Sequence, residues 1–279
     1  MDLSERIDPR RLALQMITPR RLPPRPVTVP EGAIPFSLEH DGAVIAGWRW
    51  GQGEPVLLVH GWEASHLDML AFVEPLLARG LGVIAVDLPA HGSSEGVSAT
   101  IPQMARAVTA VGKACGRLHG VIGHSVGGPV LTVALAGGLE AGRVVLIASP
   151  ANYGRQMRAA AMALGVVDTR DLAHMAEELI RLGTELPIMD LPSFAERLTQ
   201  PALLLHSRDD RVVAIGEARE IARYWRGSRL IELDGLGHGR ILSDAGVIGQ
   251  AVNFLAVDFL AVDFPAARSV TGGEAVHAL

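Results

Sequence analysis

The sequence predicts an α/β protein with a doubly wound, mostly parallel central sheet. Three observations carry that prediction. Apolar runs such as 55–59 show no polar alternation, the pattern of strands buried on both faces. These runs alternate with segments of helical periodicity, which is how parallel strands are connected. The stretch LHGVIGHSVGGPVLTVALA, residues 118–136, passes from a buried strand through Gly123-His124-Ser125-Val126-Gly127 straight into an apolar helix.

The elements follow in order. Residues 1–34 hold six arginines against four acids, with prolines at 9, 19, 23, 24, 26 and 30. Such a segment buries little, so it reads as a Pro/Arg-rich arm, extended on the surface or partly disordered. The core domain would then span 35–265. Segments 34–39 and 43–50 form a hairpin about His40-Asp41-Gly42. A buried strand runs into His60-Gly61-Trp62, a helix over 67–79 stops at Gly80, and 82–87 is the next strand. Thr100 caps a helix with Met104, Ala105, Val108 and Val111 on one face. Strands are predicted at 143–147, 202–206 and 229–233, and helices at 215–225 and about 245–262.

One interval breaks the alternation. About fifty residues separate the strands near Ala148 and Ala202, where one helix would do. Thr169 can cap a helix carrying Leu172, Met175, Leu179 and Leu182, stopped by Gly183, and 153–164 offers another. The insertion, about 151–192, is expected to be a small helical lid over the serine face. Tyr153, Met157 and Met162 are its candidate substrate-binding residues. Met175 and Met189 could line the same apolar pocket, although packing between lid helices explains most of these methionines. Near the end, Phe254-Leu-Ala-Val-Asp258 is repeated as Phe259-Leu-Ala-Val-Asp263. A five-residue step turns roughly 140° on a helix, so the copies share no face. The second copy would extend a helix beyond the core to Pro265, as a homo-oligomer contact or as slippage without function. Residues 266–279 read as a frayed tail.

Composition narrows the function. A net charge of −5 argues against nucleic acid as a partner. Cys115 is the one cysteine, which excludes intrachain disulfides and a thiolate metal site. The N-terminus is charged where a signal peptide would be apolar, and the longest apolar run is broken by His124, Ser125 and glycines. No membrane span is expected, and the cytoplasm is the default compartment.

The turn at Ser125 is where chemistry is expected. Flanking glycines let the apex take positive φ, which lifts the serine hydroxyl clear of the sheet beside a helix N-terminus. The pattern alone is a weak signal, because a glycine-rich packing turn or a phosphate loop looks similar. A serine needs a base, and His238 lies in Gly235-Leu-Gly-His-Gly239 after a predicted strand. The imidazole needs a carboxylate, and Asp209 and Asp210 follow the strand at 202–206; residue physics does not choose between them. An oxyanion would need donors, for which the amides of Val126 and Trp62 are candidates. The Trp62 indole could also wall an acyl pocket.

With serine, acid and histidine in that order, each at a strand end, the chain resembles the α/β-hydrolase family over about residues 35–262. The motifs are His60-Gly61-Trp62, Asp87-Leu-Pro-Ala-His-Gly92-Ser-Ser94, Gly123 to Gly127, Asp209-Asp210-Arg-Val-Val213 and Gly237-His238. The resemblance implies Asp210 as the acid, from its spacing to His206 and Val212-Val213, with Asp209 in reserve. It implies structural roles for His60, His91 and His124, and no metal or organic cofactor. Ala90 departs from the family's usual glycine, with little consequence expected. Serine at the apex separates the chain from dehalogenases and epoxide hydrolases, which use aspartate there. The implied activity is that of a serine hydrolase, carboxylesterase-like, acting on a small or medium acyl ester. Thioesterase, lysophospholipase, aminopeptidase, carbon–carbon hydrolase and perhydrolase chemistries share the triad. A non-catalytic protein binding a small ligand in the same pocket is the reading from another class.

Overall fold

A computed structural model of the protein describes residues 8–23, 26–166, 168–184 and 190–256. Its centre is an eight-stranded sheet of order β1-β2-β4-β3-β5-β6-β7-β8. The strands are β1 (Ile34–His40), β2 (Ala43–Trp50), β3 (Pro55–Val59), β4 (Gly82–Val86), β5 (Leu118–His124), β6 (Ala141–Ile147), β7 (Ala202–Ser207) and β8 (Ser228–Leu233). β1 and β2 pair antiparallel as the predicted hairpin, β2 joins β4 antiparallel, and the remaining pairs are parallel. Val56, Leu57, Leu58 and Val59 are wholly buried, as a strand covered by helices on both faces requires.

The helices are α1 (Pro9–Ile17), α2 (Val73–Leu77), α3 (Ile101–Cys115), α4 (Gly127–Ala136), α5 (Tyr153–Ala163), α6 (Thr169–Arg181), α7 (Leu191–Ala195), α8 (Ile215–Tyr224) and α9 (Ala245–Ala256). Thr100 opens α3 through a capping box: its hydroxyl accepts from the Gln103 amide, and the Gln103 side chain accepts from the Thr100 amide. The segment predicted as one helix over 67–79 is a 3₁₀ turn, His66–Phe72, running into the short α2. Asp168, not Thr169, caps α6; its carboxylate accepts from the Arg170 amide, which puts Thr169 at the first helical position. Met189 and the second copy of the tandem repeat lie outside the described residues.

The N-terminal arm differs from its expectation. Asp8 caps α1 by accepting from the Arg10 amide at 3.0 Å, and Pro9 supplies the fixed φ of a first helical residue. Leu12, Ala13 and Ile17 are buried, and α1 packs on α5 and α6. Each large side chain so buried contributes about 1.5–3 kcal/mol relative to exposure. That burial offsets part of the conformational entropy lost in ordering the segment.

The helical insertion closes on itself at its base. Asn152 bridges Asp190, and the Leu191 amide donates to the Ala151 carbonyl at 2.8 Å. Glu217 of α8 holds this neck, accepting from the amides of Ala151 and Asn152 at 2.8 and 3.0 Å and from the Arg155 guanidinium at 3.0 Å.

Candidate active site

Four loops at the carboxyl ends of parallel strands converge, where ligands of such sheets bind. They follow β3, β5, β7 and β8 and bring His60-Gly61-Trp62, Ser125, Asp210 and His238 together.

Ser125 sits at the apex of the turn from β5 into α4 with φ +51°, a left-handed conformation that costs a non-glycine residue energy. Its amide donates to the Ile147 carbonyl at 2.9 Å, and its carbonyl accepts from Gly128 at 2.9 Å, which fixes the strained residue in place. The neighbours must be glycine because the backbones nearly touch. A Cβ on Gly127 would lie 2.4 Å from the Val59 carbonyl oxygen, and one on Gly123 would lie 2.8 Å from that of Gly127. Helix α4 follows directly, with Val126 at its N-cap and no side-chain cap, so the helix N-terminus lies beside Ser125.

His238 Nε2 lies 3.0 Å from Ser125 Oγ, and His238 Nδ1 lies 2.7 Å from Asp210 Oδ2. The carboxylate only accepts, so Nδ1 carries the proton and Nε2 presents a lone pair to the serine hydroxyl. Asp210 Oδ1 accepts from the amides of Val212 and Val213 at 2.8 and 2.9 Å. Burial works against its charge, but the His238 bond and these two amides together hold its pKa below the usual carboxylate value. An imidazole so oriented can take the serine proton and bear the resulting charge beside an anion.

Asp209 takes a different place. Its Oδ1 accepts from the Gly237 amide at 3.2 Å and from the Ser207 hydroxyl, so it ties down the loop that carries His238 without touching the imidazole.

The loop after β3 lies against the serine: a Cβ on Gly61 would fall 3.1 Å from Ser125 Cβ. Neither the Val126 nor the Trp62 amide has an acceptor among the described residues. The Trp62 ring stands edge-on to His91, with centroids 5.0 Å apart.

His60, His91 and His124 hold backbone. His60 Nε2 accepts from the Leu88 amide at 3.0 Å while Nδ1 donates to the Gly61 carbonyl at 2.7 Å, and burial lowers its pKa to about 4. His124 Nε2 donates to the His238 carbonyl at 3.0 Å; burial, and then the neighbouring His238, lower its pKa to about 3. His91 Nδ1 donates to the Pro89 carbonyl at 2.9 Å. Asp87, wholly buried, accepts from the His66 ring at 2.9 Å and from the amides of His66 and Ser93, both at 2.7 Å. Ala90 in the same loop takes φ +65°, the conformation that a glycine would adopt without strain.

The candidate substrate-binding residues divide. Tyr153 and Met157 are buried in the hydrophobic cluster that also contains Val126 and Leu131, and Trp62 packs against that cluster. Burial pushes the Tyr153 phenol up. Met162 stands apart from these two and is 52% exposed. Residues 153, 157 and 161 form the buried face of α5, and one further residue turns the side chain about 100° toward solvent. Met157, Leu172 and Met175 line a groove between α5 and α6. Three side chains that composition gave no reason to single out brace the surroundings of the site: Arg20 binds Glu63 beside Trp62, Arg21 binds the loop that follows His91, and Glu217 binds the insertion's neck. Only Arg20–Glu63 and Arg155–Glu217 carry a charge-complementarity signal, which many other pairs share, and the bonds of Arg21 and Glu217 to backbone leave none.

Among the described residues no group of three His, Cys, Asp or Glu side chains could hold a metal ion, and no helix is long and apolar enough to cross a membrane.

Comparison with known proteins bears on the fold and the family. A non-heme haloperoxidase of Rhodococcus erythropolis is 26% identical over 267 residues, covering 77% of this chain and 96% of that protein. An esterase from Pyrococcus furiosus superposes with a TM-score of 0.68 at 20% identity, over 86% of this chain and 97% of that one. An esterase from Rhodococcus sp. gives 0.60 at 23% identity, over 80% and 98%. These structural likenesses concern the fold. The sequence profile of the alpha/beta hydrolase family matches residues 56–250, from β3 into α9, and the chain belongs to that family.

Proposed function

We propose that the protein is a serine hydrolase acting on small or medium acyl esters. The observation that carries this reading is one imidazole bonded at the same time to Ser125 and to the buried Asp210. Ser125 Oγ attacks the ester carbonyl as His238 Nε2 takes its proton. The carbonyl oxygen becomes an anion, held by the amides of Val126 and Trp62. Collapse of the tetrahedral intermediate breaks the bond to the leaving alkoxide, which receives the proton from His238. Water, deprotonated by the same imidazole, then attacks the acyl-enzyme and releases the acid, and the proton returns to Ser125. Asp210 fixes the tautomer and stabilises the imidazolium. The insertion over α5–α7 serves as the lid, and Tyr153, Met157 and Trp62 supply apolar surface for the acyl group.

The experiment is hydrolysis of p-nitrophenyl esters from acetate to palmitate, with Ser125→Ala alongside. Turnover with a short- or medium-chain optimum, lost in the variant, supports the reading. Turnover of no ester by folded wild type overturns it in favour of thioester, amide or carbon–carbon substrates. Similarity to a non-heme haloperoxidase favours one second reading, in which hydrogen peroxide replaces water as the acyl acceptor and leaves as the peracid. Peracid formation from acetate and peroxide distinguishes it.

A further inference from the structure

We propose that Arg20 is a positioning residue for the oxyanion side of the active site, acting through Glu63 on the turn that carries Trp62; this rests on the serine hydrolase reading. The turn runs from Gly61 to Ala64 and is closed by a long bond, the Ala64 amide donating to the Gly61 carbonyl at 3.4 Å. Trp62 and Glu63 are its two central residues. Glu63 has φ +56°, at the turn position where glycine or asparagine is the usual occupant. A strained glutamate in a weakly closed turn needs support from outside the turn, and the support comes from the arm.

Arg20 supplies three bonds to one carboxylate. Its Nε donates to Glu63 Oε1 at 2.9 Å, its Nη2 to Oε2 at 2.7 Å, and its backbone amide to Oε1 at 3.2 Å. The fork–fork geometry fixes direction as well as distance, which a lysine cannot do. The side-chain bond to Arg20 is the chief reason that Glu63 stays ionised below its usual range. The arm itself is anchored on both sides of this contact. Leu12 and Ile17 are buried, the Ile17 carbonyl accepts from the Ala99 amide at 2.7 Å, and Arg21 donates to the carbonyls of Gly92, Ser94 and Gly96 at 2.6, 2.6 and 3.2 Å. Arg21 thereby holds the loop whose His91 meets the Trp62 ring. The Pro/Arg-rich segment is thus a strap across the loop that carries Trp62 and the loop that carries His91.

The Arg20 side chain is 77% exposed, and exposed ion pairs contribute little to global stability. Its removal is therefore read in the chemistry and not in the melting temperature. Losing an oxyanion donor outright costs about 10²–10³ in kcat, and a loosened donor costs a part of that. The test compares Arg20→Ala, Arg20→Lys and Glu63→Gln with wild type. It measures kcat and KM on p-nitrophenyl acetate, inhibition by an aryl trifluoromethyl ketone (which forms a tetrahedral adduct with the serine), and Tm. Arg20→Ala is expected to lower kcat about tenfold and weaken the ketone by a similar factor. KM should stay within about twofold and Tm nearly unchanged, because the contact acts on the transition state. Arg20→Lys should fall between, and Arg106→Ala, which removes an exposed ion pair with Asp41 on the hairpin, should behave as wild type. Arg20→Ala with wild-type kcat and ketone affinity overturns the proposal, as does a loss of kcat matched by a loss of Tm. Should Arg20→Ala not fold, Glu63→Gln decides on the same criteria. Wild type that neither turns over esters nor reacts with a fluorophosphonate overturns the hydrolase reading itself; active wild type with an indifferent Arg20→Ala overturns this proposal alone.

Discussion

Replacing each of the adjacent aspartates with asparagine tests the assignment of the acid by geometry. Asp210 spends Oδ2 on His238 Nδ1 at 2.7 Å and Oδ1 on two backbone amides at 2.8 and 2.9 Å. These three hydrogen bonds require an acceptor on both oxygens. Asparagine has one acceptor oxygen, and the amides of Val212 and Val213 will claim it. The NH₂ then faces His238 Nδ1, which must become the lone-pair side, and the proton moves to Nε2, where it blocks general-base attack. A wrong tautomer of this kind lowers kcat by about 10⁴, or about 5 kcal/mol at 1.4 kcal/mol per decade. Asp209 uses Oδ1 for the Gly237 amide at 3.2 Å and for Ser207. Asparagine keeps that oxygen, so Asp209→Asn should cost roughly less than tenfold. Ester hydrolysis under saturating substrate, with Tm as the folding control, separates the two. Equal losses, or a larger loss for Asp209→Asn, would refute the argument.

Two further outcomes follow from the same network. His60 and His124 are held neutral, with pKa lowered to about 4 and about 3, whereas an unfolded chain binds those protons near 6.5. A depressed folded pKa means that the unfolded state binds more protons below pH 6.5, so stability falls as pH drops through that window. At pH 5 each histidine costs about 2 kcal/mol, and His91 and His206, lowered by burial, add in the same direction. Urea denaturation at pH 8 and pH 5 should differ by several kcal/mol; a flat profile contradicts neutral burial. Separately, Ala90→Gly relieves a left-handed residue worth about 1–2 kcal/mol against loss of a buried methyl worth about 0.8 kcal/mol. Thermal melting should show Tm rising by up to about 4 °C; a fall would mean that the methyl's packing outweighs the strain.

What the sequence made legible is what short-range chemistry encodes. The hairpin at His40-Asp41-Gly42, the apolar run of β3, the Thr100–Gln103 capping box and the glycines around Ser125 each state their structure within a few residues. The site was readable because each candidate residue follows its own strand, and parallel strands bring those ends to one edge. Two acids in succession were not separable by local rules, since the choice depends on which carboxylate points across the sheet toward β8. The arm shows the opposite failure. Its Asp8-Pro9 start and the spacing of Leu12, Ala13 and Ile17 are a helix signal, but high charge and six prolines outweighed it. The Arg20–Glu63 contact joins residues 43 apart through a fold that neither segment specifies. Met162 lies one step around α5 from the buried face of Tyr153, Met157 and Ala161, a distinction that a methionine's chemistry does not carry and its position on the helix does.

The most direct test of the central claim is labelling with a fluorophosphonate followed by peptide mass spectrometry. Phosphonylation requires a hydroxyl activated by a base and an oxyanion site that accepts the phosphoryl oxygen. The account predicts one stoichiometric adduct on Ser125, absent in Ser125→Ala and strongly slowed in Asp210→Asn. No adduct on the folded wild type, or an adduct that survives in Ser125→Ala, would contradict it.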